Sequence, residues 1–184
     1  YSYNPDQIQI IHQRMQNQHD LARLYQMVDC GLFPARAEGW NMEAAELLAM
    51  GKHCIMSNYS AHTQYAEKAG AMLFDIEELE IADDRFFFLG DHPKWEGKPG
   101  KWAKIGGAEK NEICSMMRQV HELKQSKKLE VNTKGIEYFN NWTWDSVAKK
   151  IAQTLGIRSS ESNQVRWNPK EKPSLGGISF YLVF

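Results

Sequence analysis

Residues 30–46 read Cys30-Gly31-Leu32-Phe33-Pro34-Ala35-Arg36-Ala37-Glu38-Gly39-Trp40-Asn41-Met42-Glu43-Ala44-Ala45-Glu46. An apolar run begins at Cys30 and ends at Pro34, a residue that cannot continue a strand ladder. Glu38 and Gly39 fall in a loop. Asn41 has the side chain of a helix cap, and a helix begins at about Met42. Residues 43–50 are strong helix formers, and Gly51 stops them. Strand, loop and helix therefore follow one another within a single short segment.

The same alternation continues on both sides. Upstream, residues 8–11 are apolar and short enough for a strand. Asp20 caps a helix in which Leu21, Leu24, Tyr25 and Val28 recur at helical spacing. Downstream, residues 53–57 form a strand, residues 63–69 a short helix closed by Gly70, and residues 71–74 another strand. The strands are brief and almost wholly apolar, as when both faces of a sheet are covered. The expected class is α/β: a Rossmann-like parallel sheet with helices on both faces.

Residues 75–107 break the pattern. Phe86, Phe87 and Phe88 lead into a stretch rich in glycine, lysine and tryptophan, expected as a hairpin or long loop over the sheet edge. Trp95 and Trp102, with Lys94, Lys98, Lys101 and Lys104, have the chemistry to stack on a sugar or a base. Local packing within an insertion is the alternative. The last third is helical. Ile113, Met116, Met117, Val120 and Leu123 make one apolar stripe. Trp144, Val147, Ala148, Ile151 and Leu155 make another, capped by Thr143 and ended by Gly156. Residues 159–174 are polar and irregular, and residues 178–184 form an apolar run at the C-terminus.

Composition narrows the function classes. The chain has 184 residues, 42% hydrophobic and 24% charged, which suits one soluble domain or one domain with a tail. A net charge of −1 supplies no bulk attraction to nucleic acid or anionic lipid. No apolar run reaches the length of a membrane span, and no secretory signal is visible, so the expected location is the cytoplasm. Cys30, Cys54 and Cys114 are expected as reduced, buried thiols. The acceptor-like triplets Asn58-Tyr59-Ser60 and Asn141-Trp142-Thr143 are read as chance.

In an open parallel sheet, ligands bind beyond the carboxyl ends of the strands, near helix N-termini. Free N–H groups and the helix dipole favour an anion there. Gly39 allows close approach of the backbone to a ligand. Glu46 lies about one turn into the helix, where its carboxylate can accept hydrogen bonds from a ribose diol. Glu38 sits in the loop on the far side of the phosphates. By themselves, glutamates around a helix N-terminus also simply favour a helix start. His62 follows a strand and precedes a helix on the ligand-facing side, so a contact to the ligand is expected as one option, and a plain helix-start residue as the other. The histidine spacings His12/His19 and His53/His62 suit no zinc site, and no metal is expected. Asp83-Asp84 reads as a turn.

The segment Glu38-Gly39-Trp40-Asn41-Met42 through Glu46, then Ala49-Met50-Gly51-Lys52, resembles the signature of retaining glycosyltransferases of the GT-B fold, in the large family 4 group. The pattern is two glutamates separated by seven residues, then a small-residue helix ending in glycine. Flanking stretches agree: Asp20-Leu21-Ala22-Arg23-Leu24-Tyr25 resembles that family's preceding helix. His53-Cys54-Ile55-Met56-Ser57 resembles the following strand, with His53 where proline is usual. Trp144-Asp145-Ser146-Val147-Ala148 resembles the start of its C-terminal helix. The resemblance runs in order over about residues 8–155.

The resemblance implies a nucleotide-diphosphate sugar as donor, transfer to an unspecified acceptor with retention, and no cofactor or metal. It places Glu38 at the donor sugar as the catalytic carboxylate. Backbone N–H groups of Gly39, Trp40, Asn41 and Met42 hold the diphosphate, and Glu46 holds the ribose. Asn41 stands where a second glycine is common and Glu43 where proline is common; the side chain of Glu43 is expected to point away. Residues 1–157 correspond to a partial C-terminal donor domain with an insertion at about 75–107, followed by a polar linker and apolar segment at 158–184. An N-terminal acceptor domain and the first donor-domain strands, with their basic loop, are not matched. Arg14 and Arg36 fit the basic role poorly. The alternative function is a non-catalytic nucleotide- or glycan-binding module of the same fold.

Overall fold

The computed structural model describes residue 11, residues 17–82 and residues 100–156. The strand expected over residues 8–11, except Ile11, lies outside them. So do Asp83-Asp84, Phe86 to Phe88, Lys94, Trp95, Lys98 and the segment 158–184. The chain divides into two units, Tyr1–Thr143 and Trp144–Phe184.

The first unit is the α/β layer structure expected. Helix α1 (Gln18–Met27) leads into strand β1 (Cys30–Phe33), helix α2 (Met42–Ala49) and strand β2 (His53–Ser57). A 3-10 turn, Ser60–Gln64, precedes strand β3 (Met72–Phe74). The three strands pair in parallel in the order β1-β2-β3, with Leu32 opposite Ile55 and Ile55 opposite Met72.

Period-two alternation along β2 sorts the two faces of the sheet. Cys54 and Met56 point to one side, where they pack with Tyr25 of α1 and Ala44, Leu47 and Leu48 of α2. Ile55 points to the other side, with Phe74 and with Ile113 and Met116 of helix α3 (Gly107–Gln125). Helices on both faces explain why the strands carry no polar alternation. Within the α3 stripe, Ile113 and Val120 are buried, while Met117 stays exposed.

Several local expectations are corrected. The cap of α1 is Asn17, whose side chain accepts from the Asp20 N–H at 2.9 Å; Asp20 itself sits in the first turn, where a carboxylate suits the helix dipole. Residues 63–69 do not form a regular helix. The 3-10 turn passes into successive turns closed at Gly70, whose φ is +71°. Cys54 is buried and Cys30 half-buried, with burial as the main cause raising their thiols to about 12 and about 11, but Cys114 is exposed.

Helix α4 (Thr133–Phe139) has no counterpart in the expectations. Asn132 caps it, accepting from the Gly135 N–H at 3.2 Å, and its amide donates to Ala69 O at 2.9 Å. Gly135 lets α4 pack directly on α2, because a Cβ there would lie 2.3 Å from Leu48 O.

Within residues 75–107, expected as a hairpin or long loop, two short strands pair, and residues 83–99 between them lie outside the described residues. Strands β4 (Leu79–Ile81) and β5 (Lys101–Ala103) pair antiparallel, with Glu80 opposite Trp102. The second unit contributes helix α5 (Trp144–Thr154), followed by Gly156 at φ +67°. Its stripe residues Trp144, Val147, Ile151 and Leu155 are exposed. Among the described residues, no helix is long and apolar enough to cross a membrane.

Candidate functional site

Because β1, β2 and β3 are parallel, their carboxyl ends lie at one edge of the sheet. Three loops emerge there: residues 34–41, residues 58–59 with the 3-10 turn, and residues 75–78. They are fastened to one another. Ser57, the last residue of β2, donates its hydroxyl to Ala35 O at 2.7 Å. Ser60 donates to Glu38 O at 2.7 Å, and its hydroxyl oxygen faces the Glu38 N–H at 3.2 Å. The Asn58 amide donates to Asp75 at 2.8 Å.

The loop enters α2 through an unusual residue. Asn41 has φ +70° and ψ +82°, the left-handed conformation, and its side-chain oxygen accepts from the Ala44 N–H at 3.1 Å. Ser60 is also left-handed, at φ +57°. For most residues other than glycine this conformation costs about 1–2 kcal/mol, with asparagine more tolerant than most, and such strain gathers at functional sites. Two such residues meet in this one pair of loops.

The network fixes the chemistry of His62. The Asn41 oxygen is committed to Ala44, so its NH2 group faces His62 Nε2, at 3.1 Å. Nε2 therefore accepts, and Nδ1 carries the proton and donates to Ser57 O at 3.1 Å. The ring is neutral and fully buried. Burial lowers its pKa from the usual histidine value; the bond to Ser57 O and the Glu38 carboxylate push the other way. Both ring nitrogens of His62 are therefore bound by the protein.

Aromatic rings support the loop from beneath. Trp40 lies 4.7 Å from Tyr65 and 5.0 Å from Trp142, centroid to centroid. The buried Tyr65 hydroxyl donates to Trp40 O at 2.9 Å. Above this floor the backbone is open. The N–H groups of Gly39, Trp40, Asn41 and Met42 donate to no backbone carbonyl among the described residues. A Cβ built on Gly39 would meet no atom within 4 Å, so glycine is not required there by any described protein neighbour.

The two glutamates occupy different surroundings. Glu38 is half-buried in the fastened loop. Glu46 lines a groove of about 340 Å³ between α1 and α2, with Gln18, Leu21, Ala22, Tyr25, Ala49 and Met50. The Tyr25 hydroxyl is buried and has no partner at hydrogen-bond geometry. Even so, Glu46 is close enough to act on it: burial first, then the Glu46 carboxylate, raise the phenol to about 12. Glu43 is exposed.

Arg36 is engaged elsewhere. Its guanidinium donates to Ala103 O at 3.1 Å, pairs with Glu80 and lies 3.8 Å over the Trp102 ring. One face of Trp102 is therefore covered by the protein's own arginine, the local packing that stood as the alternative to ligand stacking. Among the described residues, no three or more His, Cys, Asp or Glu side chains gather as a metal site.

Sequence reasoning missed Ser57, Ser60, Tyr65 and Trp142. Ser57 and Ser60 were visible only as the end of a strand and the start of a turn. Trp142 lay beyond any periodic stripe. No family model matches the sequence, and no curated protein does.

Proposed function

We propose that this chain is the donor-binding part of a glycosyltransferase, which transfers a sugar from a nucleotide-diphosphate donor to an acceptor with retention of configuration. The observation that carries the reading is the fastened loop of residues 35–41. At the start of α2, on the carboxyl edge of a parallel sheet, it presents backbone N–H groups that donate to no backbone carbonyl among the described residues.

In this reading the diphosphate lies against the N–H groups of Gly39, Trp40, Asn41 and Met42. The positive end of α2 stabilises the charge that develops on the leaving phosphate. The open space beside Gly39 lets that group approach. The nucleoside enters the groove between α1 and α2, where Glu46 accepts from the ribose diol. Glu38 faces the donor sugar as the catalytic carboxylate. In the two-domain arrangement that the motif implies, an N-terminal domain binds the acceptor.

Engagement of Arg36 by the hairpin favours one second reading: a binding module that keeps nucleotide recognition without transfer. Substitution in the longer protein separates the two. Glu46→Ala is expected to weaken nucleotide-sugar binding by about tenfold or more, the scale of a lost charged hydrogen bond. Glu38→Ala is expected to abolish transfer while binding persists. Unchanged binding in Glu46→Ala sinks the donor site, and absence of transfer in the unaltered protein selects the module.

A further inference from the structure

We infer that His62 is a positioning residue: through Asn41, it holds residues 39–42 in the backbone shape that leaves their N–H groups unpaired for an anionic ligand. The inference rests on the diphosphate reading of that loop, and it adds a residue that never touches the ligand.

The argument starts from the strain at Asn41. A left-handed φ of +70° is disfavoured for a residue with a Cβ, and asparagine tolerates it through local hydrogen bonds of its side chain. Glycine would need no holding, and asparagine does. Both polar atoms of the Asn41 side chain are used for this purpose. The oxygen caps α2 at Ala44, and the NH2 donates to His62 Nε2 at 3.1 Å. His62 is in turn fixed from its other side by Ser57 O, and Ser57 grips Ala35 at the start of the same loop. Three residues on two strand-end loops therefore form one continuous clamp. Its direction of hydrogen bonding works only with a neutral ring.

Protonation would put an N–H at Nε2 against the Asn41 NH2. The amide could then satisfy His62 only by turning over, which would point NH2 at the Ala44 N–H and break the cap. The groups facing the ring are Ser57, Asn41, the Tyr65 ring edge-on at 6.3 Å and, through space, the Glu38 carboxylate. The Ser57 carbonyl and the Glu38 carboxylate favour the charged form, and burial outweighs them. The clamp is thus closed near neutral pH and opens in acid.

The test is a double-mutant cycle with inorganic pyrophosphate as the titrated probe, since it needs no nucleoside groove. His62→Ala is expected to weaken binding about tenfold, a coupling typical of residues in contact. His62→Gln, whose amide oxygen can accept from Asn41, is expected to recover most of the loss. In an Asn41→Gly background, where the left-handed backbone needs no clamp, His62→Ala is expected to cost less than about threefold. Equal losses in both backgrounds would overturn the inference.

Hydrogen exchange of the unaltered protein supplies a readout independent of any ligand. Between about pH 7.5 and about pH 5.5, the histidine range, protection of the Ala44 amide should fall while that of Leu48 in the same helix holds. Constant protection at Ala44, or a parallel loss at both, overturns the clamp. If the protein takes up no pyrophosphate, the diphosphate reading fails, and the Ala44 amide still decides whether His62 sets the loop.

Discussion

Asn41 joins the strain, the cap and the opening of the candidate site in one side chain. Replacing it separates those contributions. Asn41→Ala loses the cap, worth about 1 kcal/mol, and leaves a Cβ in the left-handed region without the side-chain hydrogen bonds that hold it there. Asn41→Gly removes the same cap but relieves the strain, and glycine at a cap costs only a few tenths of a kcal/mol. Urea unfolding should therefore rank Ala well below Gly, with Gly close to the original protein. Equal destabilisation by both would mean that the left-handed backbone carries no strain.

His62 sets a pH dependence of stability whose sign follows from its burial. The folded-state pKa is lowered, so the unfolded chain takes up a proton first as pH falls. The native state is fully favoured above the ordinary value of 6.5, and stability is lost as pH falls below it toward the folded-state pKa. The urea midpoint should drop between about pH 7 and about pH 5, with a smaller drop in His62→Gln. An equal drop in both proteins would assign the acid sensitivity to other groups.

At the scale of elements, α4 lies close against α2 at Gly135. Gly135→Ala must displace backbone, because Leu48 O cannot swing aside as a side chain can. The substitution should destabilise by about 1–3 kcal/mol in spite of alanine's better helix propensity. A neutral or stabilising result would mean that the two helices are not held at this separation.

The elements also indicate what sequence alone can reveal. Strands β1, β2 and β3 and helix α2 were legible because short apolar runs end at proline, glycine or a capping residue. The strand His53–Ser57 matches its expected limits. Helix α4 was not legible. It is short, its packing face is a glycine rather than a stripe, and Asn132 anchors it through the carbonyls of two distant turns. Residues 63–69, expected as a short helix closed by Gly70, instead fall at the end of the 3-10 turn and in the turns that follow it. In the site, the loop and its asparagine were legible, but the fastenings through Ser57, Ser60 and Tyr65 were not. They join positions more than twenty residues apart, except where Ser57 meets His62.

At the scale of the molecule, the first unit is a parallel sheet covered on both faces, whose carboxyl edge bears the fastened loop. In the proposed function this loop receives the diphosphate of a nucleotide sugar. The most direct measurement is an amide chemical-shift titration of the chain with UDP, GDP and ADP in turn. One of them should shift the amides of Gly39, Trp40, Asn41 and Met42 together with that of Glu46, and the matching nucleoside without phosphates should leave the first four unmoved. Shifts centred elsewhere on the molecule, or none with any of the three, would contradict it.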